Sequence, residues 1–145
     1  MGLQLPNVER GSVAGVSDGM DINDDSVDVI VPLTPRYAST LRTMAASLGA
    51  EGGFSVDEID DFKLALTEAF SMLVVRHPGK RARANFAAAS SAASLRISLE
   101  SGAAIGVEPD ELALAILRAV VDSYEIGDLA ITLWKRAVET SMQGR

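Results

Sequence analysis

The stretch Asp61-Phe62-Lys63-Leu64-Ala65-Leu66-Thr67-Glu68-Ala69-Phe70-Ser71-Met72 decides how this chain reads. Phe62, Leu66, Ala69 and Phe70, with Ile59 before and Leu73 after, recur at three- and four-residue steps. That is the period of an amphipathic helix whose apolar stripe packs on a sheet. Wound at 3.6 residues per turn, the opposite side gathers Leu64, Glu68, Ser71, Met72 and Val75. A carboxylate among apolar neighbours on a face away from the core suits a pocket wall; it also suits a helix covered on both sides with Glu68 solvated at the rim. Upstream, Glu51-Gly52-Gly53 breaks the chain and Ser55 with Glu58 forms a capping-box pattern, so this helix is expected from Val56 to about Val75.

Before the break, Val27, Val29, Val31 and Leu33 alternate around Asp28, the period of a half-buried strand, with Pro32 suited to an edge or an end. Thr34-Pro35 offers a capping hydroxyl and a proline at the first helical position, and Tyr37, Leu41, Met44 and Leu48 continue a helix from Pro35 to Leu48, with Gly49 as its stop. After the long helix, His77-Pro78-Gly79 marks a turn, followed by Lys80, Arg81 and Arg83, which with Arg76 make the one basic cluster. Strands are expected at Arg83 to Ala88 and Leu95 to Leu99, joined by a loop over Ala89 to Ser94. Glu108-Pro109 opens a third helix through Leu112, Ile116, Ala119 and Val120, and Gly127-Asp128 turns between two closing strands. The order β-α-α-β-β-α-β-β places helices against one face of a mainly antiparallel sheet, an α+β two-layer sandwich.

Composition narrows the function. At 145 residues, 48% hydrophobic and 23% charged, the chain has the make-up of one globular domain. It has no cysteine and one histidine, which removes disulfides, cysteine nucleophiles and multi-histidine metal sites within one chain. The net charge of -7 disfavours nucleic acid and anionic membrane, no apolar run reaches the roughly 20 residues of a spanning helix, and a cytoplasmic setting is expected. Residues 1 to 26 hold five acids against Arg10 alone and have no sustained apolar period. They read as a flexible acidic arm, either a leader without function or a partner-binding segment. Residues 27–140 then form the domain and 141–145 a short tail.

The element order and local motifs resemble the bacterial anti-sigma-factor serine kinases, small members of the histidine-kinase-like ATPase (Bergerat) superfamily, over about Val27 to Ala137. The quoted helix is similar to the one that carries Glu-Ala-x-x-Asn in that family. Leu117 to Ile126 and Leu129 to Arg136 resemble later family segments. The resemblance implies that Glu68 would orient or activate the attacking group in an active kinase. It places Met72 where an asparagine holds magnesium on the nucleotide. Magnesium demands hard oxygen ligands, which a thioether does not supply. The adenine-reading Asp-x-Gly-x-Gly corresponds to Glu100-Ser101-Gly102-Ala103-Ala104, which retains an acid and the first glycine. The phosphate-binding Gly-x-Gly-Leu corresponds to Glu111-Leu112-Ala113-Leu114, which adds a methyl group and a negative charge. Glu100, Gly102, Met72, Glu111 and Ala113 thus mark a remnant nucleotide site.

The resemblance therefore implies an anti-sigma-type regulator acting through protein binding, with lost or weakened ATP binding and no cofactor. Its alternatives are an ATP- and magnesium-dependent serine/threonine kinase using Glu68, and a structural or dimerising subunit. The expected partners are a sigma factor or an anti-sigma antagonist protein. Arg36 and Arg42, off the inner stripe of the first helix, are the candidate contact residues, a mildly basic strip toward which an acidic partner would be steered.

Overall fold

The computed structural model describes residues 26–138. The arm read over residues 1–26, Ser26 excepted, and the tail at 141–145 lie outside the described residues. In chain order the elements are β1 (Ser26–Pro32), a 3-10 turn (Pro35–Tyr37), α1 (Ala38–Glu51), α2 (Val56–Arg76), β2 (Arg81–Ala89), β3 (Ala92–Leu99), α3 (Glu111–Val120), β4 (Ser123–Ile126) and β5 (Ala130–Arg136). The strands form one sheet in the order β1-β2-β3-β5-β4, every neighbouring pair antiparallel. This is the expected α+β sandwich.

Register fixes what the sheet buries. Val29 lies opposite Ala84, Ala84 opposite Ile97, and Ile97 opposite Ile131, so one row of apolar side chains crosses four strands. Phe86, Leu95 and Leu133 make the next such row. Because side chains alternate along a strand, the intervening row is Asp28, Asn85, Arg96, Thr132 and Glu125, on the face turned to water. There Asn85 Nδ2 donates to Asp28 Oδ1 at 2.6 Å. On the inner face, Phe62, Leu66, Phe70 and Leu73 of α2 join Leu41 of α1 and Leu117 of α3 in one continuous core with the strand residues. Phe54, just before α2, meets Phe62 edge-on with ring centroids 6.4 Å apart.

Several boundaries differ from the sequence expectation. The hydroxyl of Thr34 makes no cap bond; only its carbonyl accepts, from the Tyr37 N–H at 3.0 Å, and the proline-led turn precedes α1. Gly49 does not end α1, which continues to Glu51. The reason is packing: a Cβ on Gly49 would stand 3.1 Å from Ile59 Cγ1 and 3.2 Å from Phe54 Cδ2, so the glycine lets α1 approach α2 closely. The loop expected over Ala89 to Ser94 shrinks to Ser90-Ser91, with Ser91 at φ 69, and Ala92 to Ser94 pair within the sheet. Small side chains carry little periodic signal, so the ladder rather than the pattern sets these ends. Glu108-Pro109 lies ahead of α3; Asp110 is the cap.

The capping box at Ser55 and Glu58 is present as expected, but Glu58 does more than cap. One carboxylate oxygen accepts from the Ser55 N–H at 2.7 Å and the other from the Val138 N–H at 2.6 Å. The side chain is buried and ties the end of the sheet to the start of α2. Nearby, Lys135 of β5 donates to the Val120 carbonyl at 3.0 Å and lies 3.6 Å from Asp61. The Ser55 and Val138 N–H groups hold the Glu58 carboxyl below its ordinary value; burial opposes them, while the Ser55 hydroxyl and Lys135 add to the lowering. A carboxyl with a depressed folded-state pKa stabilises fully above its unfolded value and loses that contribution as pH falls through the folded one. Glu58→Ala is expected to cost about 2 kcal/mol at neutral pH. Urea denaturation should show this loss shrinking below a pH of about 4.5, where the wild-type carboxyl begins to protonate in the unfolded chain.

Candidate functional site

The outward face of α2 and the segment between β3 and α3 enclose an open cavity of about 400 Å³. Glu68, Ser71, Met72, Val75 and Arg76 line it from α2; Gly106, Val107, Glu108, Pro109 and Asp110 line it from the loop, and Leu112 and Ala113 from α3. Of the α2 face that sequence periodicity set apart, Glu68, Ser71, Met72 and Val75 form a cavity wall, while Leu64 lies outside it and is exposed. The cavity exists because α2 is committed to the sheet by its other face.

The loop is held in place by a few specific groups. Ile105 is fully buried and its N–H donates to the Asp128 carbonyl in the β4–β5 turn at 2.8 Å. His77, just past α2, approaches the Ile105 carbonyl with Nε2 at 2.7 Å. A carbonyl only accepts, so the imidazole carries a proton on Nε2. Gly106 takes φ +54, and the Arg76 guanidinium packs over it, within 3.6 Å of where a Cβ would stand. The C-terminal end of α2 thereby pins the rim of the cavity it lines.

At the mouth of α3, Asp110 Oδ1 accepts from the Ala113 N–H at 2.8 Å, which occupies one of the free backbone donors that make helix N-termini attractive to phosphate. Glu111 follows in the first turn. Glu68, Glu108 and Asp110 face the cavity with Arg76 as the one basic side chain in its lining, and none of these four, nor Glu111, joins a salt bridge among the described residues. Also among the described residues, no three His, Asp or Glu side chains gather so as to hold a metal ion. Magnesium-ATP asks for hard oxygen ligands backed by cations or free N–H groups around its phosphates. The carboxylates are oxygen donors, whereas the Met72 thioether supplies none and the start of α3 has one N–H donor already filled by Asp110.

Of the residues singled out from sequence, Glu68, Met72 and Ala113 come together in the cavity lining. Glu100 and Gly102 do not line it. Glu100 accepts from Arg81 Nε at 2.8 Å at the sheet end, and Gly102 sits in the following turn at φ +83. Glu111 is exposed beside the cavity. On α1's side, Arg36 is exposed and stacks over the Tyr37 ring at 5.0 Å, whereas Arg42 is half-buried and donates to the Thr67 hydroxyl of α2 at 3.3 Å. The two arginines thus differ in freedom. Sequence reasoning missed Glu108, Asp110, Arg76 and the bridging role of His77. An aspartate directly before a helix is a readable capping signal, while the others depend on where the loop folds back.

Among the described residues, no helix is long and apolar enough to cross a membrane. His77→Ala should free the Ile105 carbonyl and cost about 1 kcal/mol. Hydrogen exchange is expected to quicken at Ile105 to Val107 and to stay unchanged in β2 and β3.

No protein-family model matches the chain. Over 50 residues, which are 34% of this chain and 31% of the relative, it is 34% identical to the serine-protein kinase RsbW of Bacillus subtilis. In fold it is similar to a crystal structure of the RsbU and RsbW domains of a Mycobacterium tuberculosis protein, with a TM-score of 0.51 and 18% identity. That likeness covers 79% of this chain and 34% of the other. The matched region thus spans about a third of each relative. The fold is the histidine-kinase-like ATPase fold, and sequence and structure both agree with the resemblance to anti-sigma-factor serine kinases.

Proposed function

We propose that this chain is an anti-sigma-type regulatory protein that works by binding protein partners and has given up magnesium-ATP chemistry. The observation that carries the reading is the chemistry of the cavity lined by Glu68 and Met72, the two helix residues for which the resemblance implies a nucleotide role. Met72 stands one turn from Glu68, Asp110 covers the Ala113 N–H, and the carboxylates of Glu68, Glu108 and Asp110 face the cavity. Like charges brought together in a partly enclosed site repel, so the cavity disfavours a polyphosphate. The partners proposed are a sigma factor or an anti-sigma antagonist protein, reached in part through Arg36 and Arg42.

Thermal melting with ATP and with ADP, each with magnesium, tests the first half. A ligand present at a hundred times its dissociation constant stabilises by about 2.7 kcal/mol, a rise of several degrees for a domain of this size. No saturable rise is expected at millimolar nucleotide. A saturable rise, or phosphate transfer to a partner serine that Glu68→Ala abolishes, would instead favour the active kinase.

Charge reversal tests the second half. Arg36→Glu with Arg42→Glu should weaken the partner complex about tenfold or more, since arginines are frequent interface anchors. Arg42 also gives up its bond to Thr67, at a cost of about 1 kcal/mol, so circular dichroism should be unchanged and melting lowered by only a few degrees. Recovery of the chain from its host only as a stable homo-oligomer would put a structural subunit in place of the regulator.

A further inference from the structure

The cavity at the end of α2 has two properties that belong together. Its floor and rim include apolar side chains that the core leaves uncovered: Val75 is 82% exposed and Leu112 69% exposed, on either side of the opening. Single exposed apolar residues are ordinary, but these two lie across a concave space with Met72, Val107 and Pro109 also in its lining. Around them stand Glu68, Glu108 and Asp110, with Glu111 beside the cavity, against one guanidinium at Arg76. At about 400 Å³ the space lies within the range of small binding clefts.

We propose that this cavity docks a basic amphipathic segment of another protein, one or two apolar side chains entering between Val75 and Leu112 while flanking lysines or arginines meet the surrounding carboxylates. The proposal deepens the protein-binding reading, on which it rests, by naming the chemistry of one docked segment. Charge complementarity chooses the occupant. A polyphosphate or an acidic peptide would add negative charge to a site whose carboxylates outnumber its one guanidinium and form no salt bridge among the described residues, and a second copy would bring a net charge of -7 toward another -7. A cationic segment gains on both counts, since apolar anchors supply affinity and the charged rim supplies steering and selectivity. The pinning of the loop by His77 and Ile105 presents the opening already formed, which lowers the ordering cost of docking.

The test uses the full chain and a fluorescein-labelled synthetic peptide about four helical turns long, with leucines at helical spacing and lysines elsewhere. A matched peptide carries glutamates in place of the lysines. Anisotropy should report saturable binding of the lysine peptide that weakens as salt rises from about 50 to 300 mM, and no binding of the glutamate peptide. Val75→Ser with Leu112→Ser, both exposed and so removable without opening the core, should weaken binding about tenfold. Glu68→Gln with Glu108→Gln should weaken it severalfold and flatten its salt dependence. Wild-type protein that ignores the lysine peptide, equal binding of both peptides, or unaltered binding by folded variants would overturn the proposal. So would a homodimer that Val75→Ser with Leu112→Ser dissociates, because the occupant would then be a second copy. A nucleotide-induced melting shift with peptide binding still lost in the variants would sink the proposed function and leave this surface standing. Partner binding that survives the cavity variants and fails with the Arg36 and Arg42 reversals, in a protein that binds neither peptide, would do the opposite.

Discussion

Burial of one stripe of α2 against the middle of the sheet is the constraint on which the rest of this molecule depends. Phe62, Leu66, Phe70 and Leu73 are each at most 2% exposed, and they share a core with Leu95, Ile97 and Ile131 of the central strands. Truncation of any one of these to alanine in a close-packed core would cost on the order of 2–5 kcal/mol, a large fraction of the stability of a domain this size. A helix held this firmly by one face has its other face fixed in space. The cavity wall made by Glu68, Met72 and Val75 is therefore a consequence of core packing.

The two ends of α2 extend that control to the rest of the fold. At the start, Glu58 accepts from Ser55 and from Val138, the latter 80 positions further along the chain, joining the helix to the exit of β5. At the end, Arg76 and His77 hold the loop that supplies the opposite wall of the cavity. Local contacts of one helix thus set both where the sheet ends and where the cavity opens. The open face of the sheet, with its polar row from Asp28 to Glu125, needs no helical cover, because antiparallel strands with alternating side chains satisfy one dry face and one wet one.

The cavity gathers three carboxylates, a thioether and a helix start with one N–H donor already filled. Nucleotide sites built on helix N-termini depend on unfilled N–H donors and nearby cations, and here an aspartate fills a donor while carboxylates surround the space. The same side chains that would repel phosphate attract lysine and arginine.

Periodicity by itself determined the element order, the α+β layering and the two-sided character of α2, because the 3.6-residue and 2-residue repeats follow directly from backbone geometry. The capping box at Ser55 and Glu58 was legible for the same reason: both partners lie within one turn. What the chain's local pattern did not carry were contacts between distant residues. Glu58 reaching Val138, Arg42 leaning on Thr67, and His77 meeting the Ile105 carbonyl each join positions that no repeat relates. Motif correspondence grouped Glu100 and Gly102 with Glu68 and Met72; Glu100 follows the end of β3, where its N–H donates to the Arg81 carbonyl and its carboxylate meets Arg81 Nε, while Glu108 and Asp110 line the cavity. Only the tertiary structure decided that placement: Gly102 and Gly106 permit the turns of the segment from 101 to 110, but the burial of Ile105 and the bonds at its two backbone groups fix where it lies.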